Sequence, residues 1–287
     1  MSKIFLVIFL LVLSSCGLVR PEDSYYREAI KYKNEGDTHR AIDSLRKVVS
    51  TAPKSKKAKD ALYLLGDLYY QIGDPKKAIK VLETYIDISA PNDERRFDVF
   101  NKMGLVVYSR TNDYPRALMY YKKAIPLADS KREKFDVSLN VGNCYFKMYR
   151  FDKALDFFSN AVKQMEDNPD DEESLSLQEA LYYMAFSYSL LTKDLNESTE
   201  LSESAKSQDL FSDPQKKIIA ILDKCLKYSD SSKYGILCKY QKAEAFEELG
   251  DRQKAISIYM ELKELYPNKG VIEAKISKLS SSSTQTK

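Results

Sequence analysis

Histidine occurs once in the chain, at His39, and that limits the chemistry at once. Ser-His-Asp triads, paired-His zinc sites and HExxH helices are hard to build from a single imidazole. The four cysteines, Cys16, Cys144, Cys225 and Cys238, contain no CxxC pair, so neither a redox dithiol nor a Cys-pair zinc site is indicated. No Gly-rich phosphate loop or nucleophile elbow appears. The acidic run from Glu166 to Glu173 lacks the spaced oxygens and the Gly of an EF-hand loop. The expectation is a chain without catalytic residues, metal or cofactor, and so not an enzyme. The remaining 287-residue composition agrees with a helix-leaning globular chain. It is 44% hydrophobic and 30% charged, too apolar for disorder, and its nine Gly and nine Pro are too few for a turn-rich β protein. A net charge of +3 gives no sign of bulk nucleic-acid binding.

Cys16 carries the most specific chemistry. Lys3 is followed by ten apolar residues, Ile4 to Leu13, and then by Ser14, Ser15, Cys16 and Gly17. Ten residues span about 15 Å as a helix, half of a bilayer core, so this is not a transmembrane helix. A basic start, a short apolar stretch and small residues make a secretory signal over residues 1–15. The ending Leu13-Ser14-Ser15-Cys16 resembles a bacterial lipobox. That resemblance implies cleavage before Cys16, a diacylglycerol thioether with further acyl groups such as palmitate, and a tether over residues 16–24. Several acyl chains on one residue anchor stably where one does not. Gly17 in place of Asp suggests the outer membrane and its periplasmic face. The alternative is an ordinary signal peptide with Cys16 left as a free thiol.

The rest of the sequence repeats. Ala29 and Ala41, Gly66 and Ala78, Gly142 and Ala154, and Ala243 and Ala255 are pairs of small residues with one common separation; Gly104 and Ala117 are one residue further apart. Tyr32, Tyr69, Tyr145, Tyr188 and Phe246 stand three residues after the first small position, with Val107 departing. Leu45, Leu82, Tyr121, Phe158 and Tyr259 stand four after the second. Turn signals lie between, as Gly36-Asp37, Gly73-Asp74-Pro75, Asn112-Asp113 and Gly250-Asp251. Each unit reads as two amphipathic helices that cannot bury their apolar faces until neighbours stack on them. The pattern resembles the tetratricopeptide repeat family. It implies an all-α, right-handed α-solenoid of about six helix-turn-helix units over residues 25–279. An acidic insertion at about 192–214 interrupts the fifth unit, whose first helix is expected over Leu177–Leu191. A capping helix is expected over Lys269–Leu279 and a disordered Ser-rich tail over residues 280–287.

In this register Cys144 and Cys225 fall on packed helix faces as small buried hydrophobes; a Cys225–Cys238 bridge across one turn is the alternative. His39 falls in a polar turn as a bystander. Asp23, Asp60, Asp98, Asp136 and Glu179 each stand six before the first small position, where carboxylates in a first turn would complement the helix dipole; an acidic ladder for a basic partner is the sharper alternative. Mature residues up to 137 hold 24 basic and 18 acidic groups, a modest excess at the end that carries the lipid.

The resemblance also implies a binding face. In tetratricopeptide arrays the residues three before and four after the first small position face a groove. Here these are Tyr26, Tyr63, Asn101, Leu139, Tyr182 and Tyr240, with Tyr70, Tyr108 and Phe146. Tyrosines offer contact area and a hydroxyl at low entropy cost, which suits a peptide segment, though packing between neighbouring first helices would account for them equally. The expected partners are envelope proteins, with the membrane reached through Cys16 and no nucleic acid. The combination of lipobox, tether and repeat array is loosely similar to the BamD family of outer-membrane protein assembly lipoproteins. Pilus or secretion pilotins share the same features, and an adaptor regulating peptidoglycan enzymes is a third possibility.

Overall fold

The computed structural model describes residues 20–165, 171–197 and 213–281. The signal peptide, Cys16 and most of the tether therefore lie outside the described residues, as do residues 198–212 and 282–287. Among the described residues there are thirteen α-helices, one 3-10 turn and no strand. None of the helices is long and apolar enough to cross a membrane. The all-α array of helical hairpins expected from the repeat is what is found.

The chain divides into two compact units at Asn112. The first holds α1 (Pro21–Asn34), α2 (Thr38–Thr51), α3 (Lys56–Gln71), α4 (Pro75–Ile88) and α5 (Arg96–Thr111). The second holds α6 (Tyr114–Ala124), α7 (Lys131–Lys147), α8 (Phe151–Met165), α9 (Asp171–Glu197), α10 (Pro214–Leu226), α11 (Lys233–Glu248), α12 (Arg252–Leu262) and α13 (Lys269–Ser281). In each unit, consecutive helices pack as hairpins and each hairpin packs on the next.

One turn recurs because three residue types cooperate. Gly36, Gly73 and Gly250 take φ of +79°, +76° and +79°, a left-handed conformation that glycine adopts without steric cost. An Asp follows and caps the next helix. Asp37, Asp74 and Asp251 accept from the backbone N–H of Arg40, Lys77 and Lys254 at 3.0, 3.0 and 3.2 Å, satisfying a donor the helix start leaves orphaned. The same basic side chains close back on the caps at 2.5, 2.8 and 2.8 Å. They also reach over the aromatic of the preceding helix: Arg40 over Tyr32, Lys77 over Tyr69 and Lys254 over Phe246, at 4.8, 5.6 and 5.2 Å. In the fourth unit Tyr149 replaces the glycine at φ +59° and stays 81% exposed.

The small positions do what the spacing requires. A Cβ added at Gly66 would lie 2.6 Å from the Leu82 side chain, and one at Gly142 would lie 2.7 Å from the Phe158 ring, so each glycine leaves room for the large residue of the second helix to pack directly on the first. Ala41, Ala78, Ala117, Ala154 and Ala255 are fully buried, and Ile218 takes the same slot on α10.

Two elements depart from expectation. First, α9 runs from Asp171 to Glu197, not from Leu177 to Leu191, so residues 192–197 belong to the helix rather than to the insertion. No Gly or Pro ends it at Leu191. Thr192 is buried and donates to the carbonyls of Tyr188 and Ser189, and Lys193 pairs with Glu248 of α11 at 2.9 Å. Second, Cys225 and Cys238 form a disulfide, the alternative reading, which corrects the expectation that Cys225 is an unbonded small buried hydrophobe. The physical reason lies in the turn between α10 and α11. Buried Gln178 of α9 donates to the carbonyls of Cys225 and Ser229 at 2.9 and 2.6 Å and accepts from Ser232 at 2.7 Å. A Cβ at Gly235 would meet the Ser229 carbonyl at 2.2 Å. This tight seat brings the two cysteines together. Cys144 is buried and free.

The C-terminal helix closes the last hairpin. Ile272 of α13 is fully buried against Ala243, Ala255, Tyr259 and Leu262. Lys275 reaches Glu244 and Glu247 at 3.1 and 3.0 Å, and the Tyr259 hydroxyl also donates to Glu247. The helix continues to Ser281, two residues beyond its expected end.

Candidate partner-binding face

In the first unit the candidate tyrosines lie along α1, α3 and α5, each half-buried. The Lys57 ammonium stands 4.4 Å above Tyr26. Burial, and then the charge of Asp60, push the Tyr26 phenol up from its ordinary value. Tyr63 has the Lys102 ammonium 3.7 Å from its ring centroid and Arg95 at 5.6 Å. Those cations are themselves held by carboxylates of α3: Asp67 with Lys102 and Asp60 with Arg95, both at 2.5 Å. Tyr70 lies under the Arg110 guanidinium at 4.4 Å, its hydroxyl is 3.2 Å from that of Ser109, and Arg110 also donates to its carbonyl. Tyr108 and Asn101 are half-buried on α5. Tyr63 and Tyr70 are therefore seated between neighbouring first helices, and each still presents part of its surface to solvent.

One further node stiffens this unit. Asp93, just before α5, accepts from Lys59 at 2.6 Å and from the buried Tyr85 hydroxyl at 2.8 Å. Burial opposes its charge, yet the hydrogen bonds from Lys59, Tyr85 and the Arg95 backbone hold its carboxyl below the usual range.

In the second unit the equivalent slots meet other rings. Phe146 of α7 packs on Tyr183, Phe186 and Phe151 at centroid distances of 5.0, 5.6 and 5.7 Å. Tyr182 of α9 touches Phe186 and Tyr234, both at 5.9 Å, and burial pushes its phenol up to about 12. Tyr240 of α11 stacks on Tyr266 at 4.9 Å and meets Tyr259 at 5.9 Å; burial, then Glu244, push its phenol up to about 12 as well. Leu139 is only 8% exposed and belongs to the core rather than to a binding surface.

The helix-dipole account of the repeated carboxylates holds for Asp23 and Asp98, which lie in first turns. It fails for Asp60, Asp136 and Glu179, because α3, α7 and α9 begin earlier than their carboxylates require and the dipole fades within a turn. Asp60 pairs with Arg95, Asp136 with Arg132 at 3.1 Å, and Glu179 accepts from Asn143 at 3.3 Å. The cations facing the tyrosines were missed in the sequence. A signal for them exists: Asp60 with Arg95 and Asp67 with Lys102 are opposite charges one repeat apart. His39 is exposed in the first turn of α2, one residue inside the helix and not in the preceding turn where the sequence placed it. Among the described residues no cluster of His, Cys, Asp or Glu could hold a metal ion.

Residues 34–95 and 238–269 match the tetratricopeptide repeat family. The chain carries tetratricopeptide repeats. No curated protein matches the sequence. Solved structures of similar fold include the C-terminal part of a TPR repeat-containing protein from Cytophaga hutchinsonii, at 18% identity and a TM-score of 0.63, covering 94% of this chain and 93% of that one. PilF of Pseudomonas aeruginosa is similar at 18% identity and a TM-score of 0.58, over 91% and 97% of the two chains. PilW, described as a type IV pilus biogenesis factor, is similar at 14% identity and 0.56, over 90% and 98%. At these identities the likeness is one of fold. Stacked repeats of this kind present extended helix faces, the type of surface on which such arrays generally bind protein partners.

Proposed function

We propose that this chain is a lipid-anchored scaffold on the periplasmic face of the bacterial outer membrane, which holds segments of partner proteins and catalyses nothing. The observation that carries the binding reading is the row of half-exposed tyrosines on the first helices of the first unit. Their rings are fixed by cations and carboxylates rather than left free to reorient, so contact area is offered with little ordering cost. Two features support export and anchoring. The N-terminal sequence up to Cys16 has the form of a lipoprotein signal, and the Cys225–Cys238 disulfide suits an oxidising compartment. Among envelope pathways, outer-membrane protein assembly of the BamD kind is the first candidate. A role in pilus assembly is the second reading, favoured by fold similarity to PilF and PilW across nine-tenths of the chain.

The experiment places a photo-crosslinking amino acid at Tyr70, on the face, and at exposed Met119, in cells expressing either the native chain or Cys16→Ser. The expected result is a discrete crosslinked envelope partner from Tyr70 only, lost or reduced when Cys16→Ser releases the protein from the membrane fraction. Unchanged membrane fractionation of Cys16→Ser would reject the anchor. Equal crosslinking from both positions would reject the face.

A further inference from the structure

A groove runs between α2 and α4 with α3 as its floor. It opens on a different side of α3 from the tyrosine row: Leu65 and Tyr69 face it, while Tyr63, Asp67 and Tyr70 face α5. It comprises two adjoining cavities of about 640 and 470 Å³. Its lining on α2 runs from His39 to Ser50, about 17 Å or three helical turns. The apolar lining comprises half-buried Val49 on α2 and Val81 on α4, Leu65 and Tyr69 on α3, and Ile72, 42% exposed, just after α3. The rims are basic on both sides. Arg46 and Lys47 stand on α2 and Lys80 on α4, with Asp43 the acid between them. Arg46 meets Asp43 only at 3.9 Å. Lys80 makes no ion pair among the described residues, in contrast to Lys77, which is closed onto Asp74.

We propose that this groove docks an acidic amphipathic segment of a partner protein. Apolar residues of the segment sit on Val49, Val81 and Tyr69, and its carboxylates meet Arg46, Lys47 and Lys80. Charge complementarity selects this occupant. Three cations against one acid leave a positive rim, and the apolar floor needs a partner with side chains to insert. A single phosphate would call for cations converging on one point, whereas these are strung along two walls. The proposal is independent of the tyrosine face and goes beyond it, since it names a second surface and the chemistry of what binds there.

The test uses the purified chain and a fluorescent peptide about twelve residues long, the reach of the groove, with Leu at helical spacing and Glu elsewhere, followed by anisotropy. The expected result is saturable binding that weakens several-fold as salt rises. Arg46→Glu with Lys80→Glu should reduce affinity by on the order of tenfold or more, while Lys76→Glu, on α4 but outside the groove lining, leaves it within about twofold. Circular dichroism verifies that each variant is folded. The proposal is overturned if the peptide fails to bind, if a version with Lys for Glu binds as well, or if the double reversal changes nothing. It is also overturned if anionic phosphatidylglycerol vesicles bind through Arg46 and Lys80 while the peptide does not, since the rim would then serve a lipid surface.

Discussion

In the unit ending at Asn112 the aromatic slots of the first helices are faced mainly by cations, with Tyr85 also 6.4 Å from Tyr63; in the unit beginning at Asp113 they are faced mainly by other rings, with Lys275 also 5.9 Å from Tyr240. Tyr63 sits under Lys102 and Arg95, whereas Phe146 and Tyr182 sit among Tyr183, Phe186 and Tyr234. The slot is the same in both units, so the repeat dictates where an aromatic stands but not what it does. A cation over a ring fixes the ring while leaving its edge wet and reactive to a partner. A ring over a ring excludes water and adds to the core. The first unit is therefore built to be touched, and the second to hold.

The largest test of that contrast is Phe158→Ala. Phe158 is fully buried beside Tyr183, and truncation should cost about 3–5 kcal/mol in urea unfolding. Lys102→Ala, which uncovers Tyr63, should cost only about 0.5–1 kcal/mol. Comparable losses would erase the distinction between the units. Next come Ala78→Leu and Ala154→Leu. Both sit in the shared close-contact slot, so each should cost about 1–3 kcal/mol by overpacking, and here the two units should behave alike. Lys76→Leu, at an exposed position, should be nearly silent. A smaller effect on stability, but a clear one on binding, is expected for combined Tyr63→Ala and Tyr70→Ala. Partner capture should fall while melting shifts by only a few degrees; unfolding of this variant would place both tyrosines in the core.

The smallest effect is electrostatic and is followed at two tyrosines of the second unit. Tyr182 and Tyr240 are raised to about 12 by burial, above the ordinary value of about 10. Their neutral form is the one the fold favours. Their contribution is therefore complete below pH of about 10 and is lost as pH rises through 12. A 295 nm absorbance titration should show late-ionising tyrosines, and Tyr182→Phe with Tyr240→Phe should lower the amplitude of that late phase, leaving Tyr85 and Tyr259, which burial and carboxylate hydrogen bonds raise further. An unchanged amplitude would assign the phase to other tyrosines. At the acid end the sign reverses. Asp93 is held low, so its contribution is complete above the ordinary carboxylate value of about 3.9 and is lost progressively as pH falls from there through its depressed folded value.

The repeat was legible in the sequence because its small positions are a steric necessity. Gly66 and Gly142 allow no Cβ, and the alanines opposite allow little more. The caps were legible for a similar reason, since Gly-Asp turns have few substitutes. Three things were not. The cations over Tyr26, Tyr63 and Tyr70 come from α3 or α5, helices at least one turn of the repeat away in sequence, and exposed Lys and Arg are common enough to hide among. The length of α9 depends on Lys193 reaching Glu248, a tertiary contact that local propensity does not encode. The disulfide depends on the seat that Gln178 makes for the turn after Cys225. A slot that ordinarily takes a small hydrophobe gave no hint that its occupant was bonded.

That disulfide has a consequence for how the chain matures. Its two cysteines are thirteen positions apart and lie in adjacent helices, so the bond can close as soon as one short stretch has emerged, without waiting for the rest of the protein. Cys144, the free thiol among the described residues, is sealed within its own hairpin and pushed up to about 12 by burial, which leaves almost none of the reactive thiolate at neutral pH. Pairing of Cys225 with Cys238 rather than with Cys144 is thus a matter of sequence order and timing: the nearby partners find each other first, and Cys144 retires from the competition by folding.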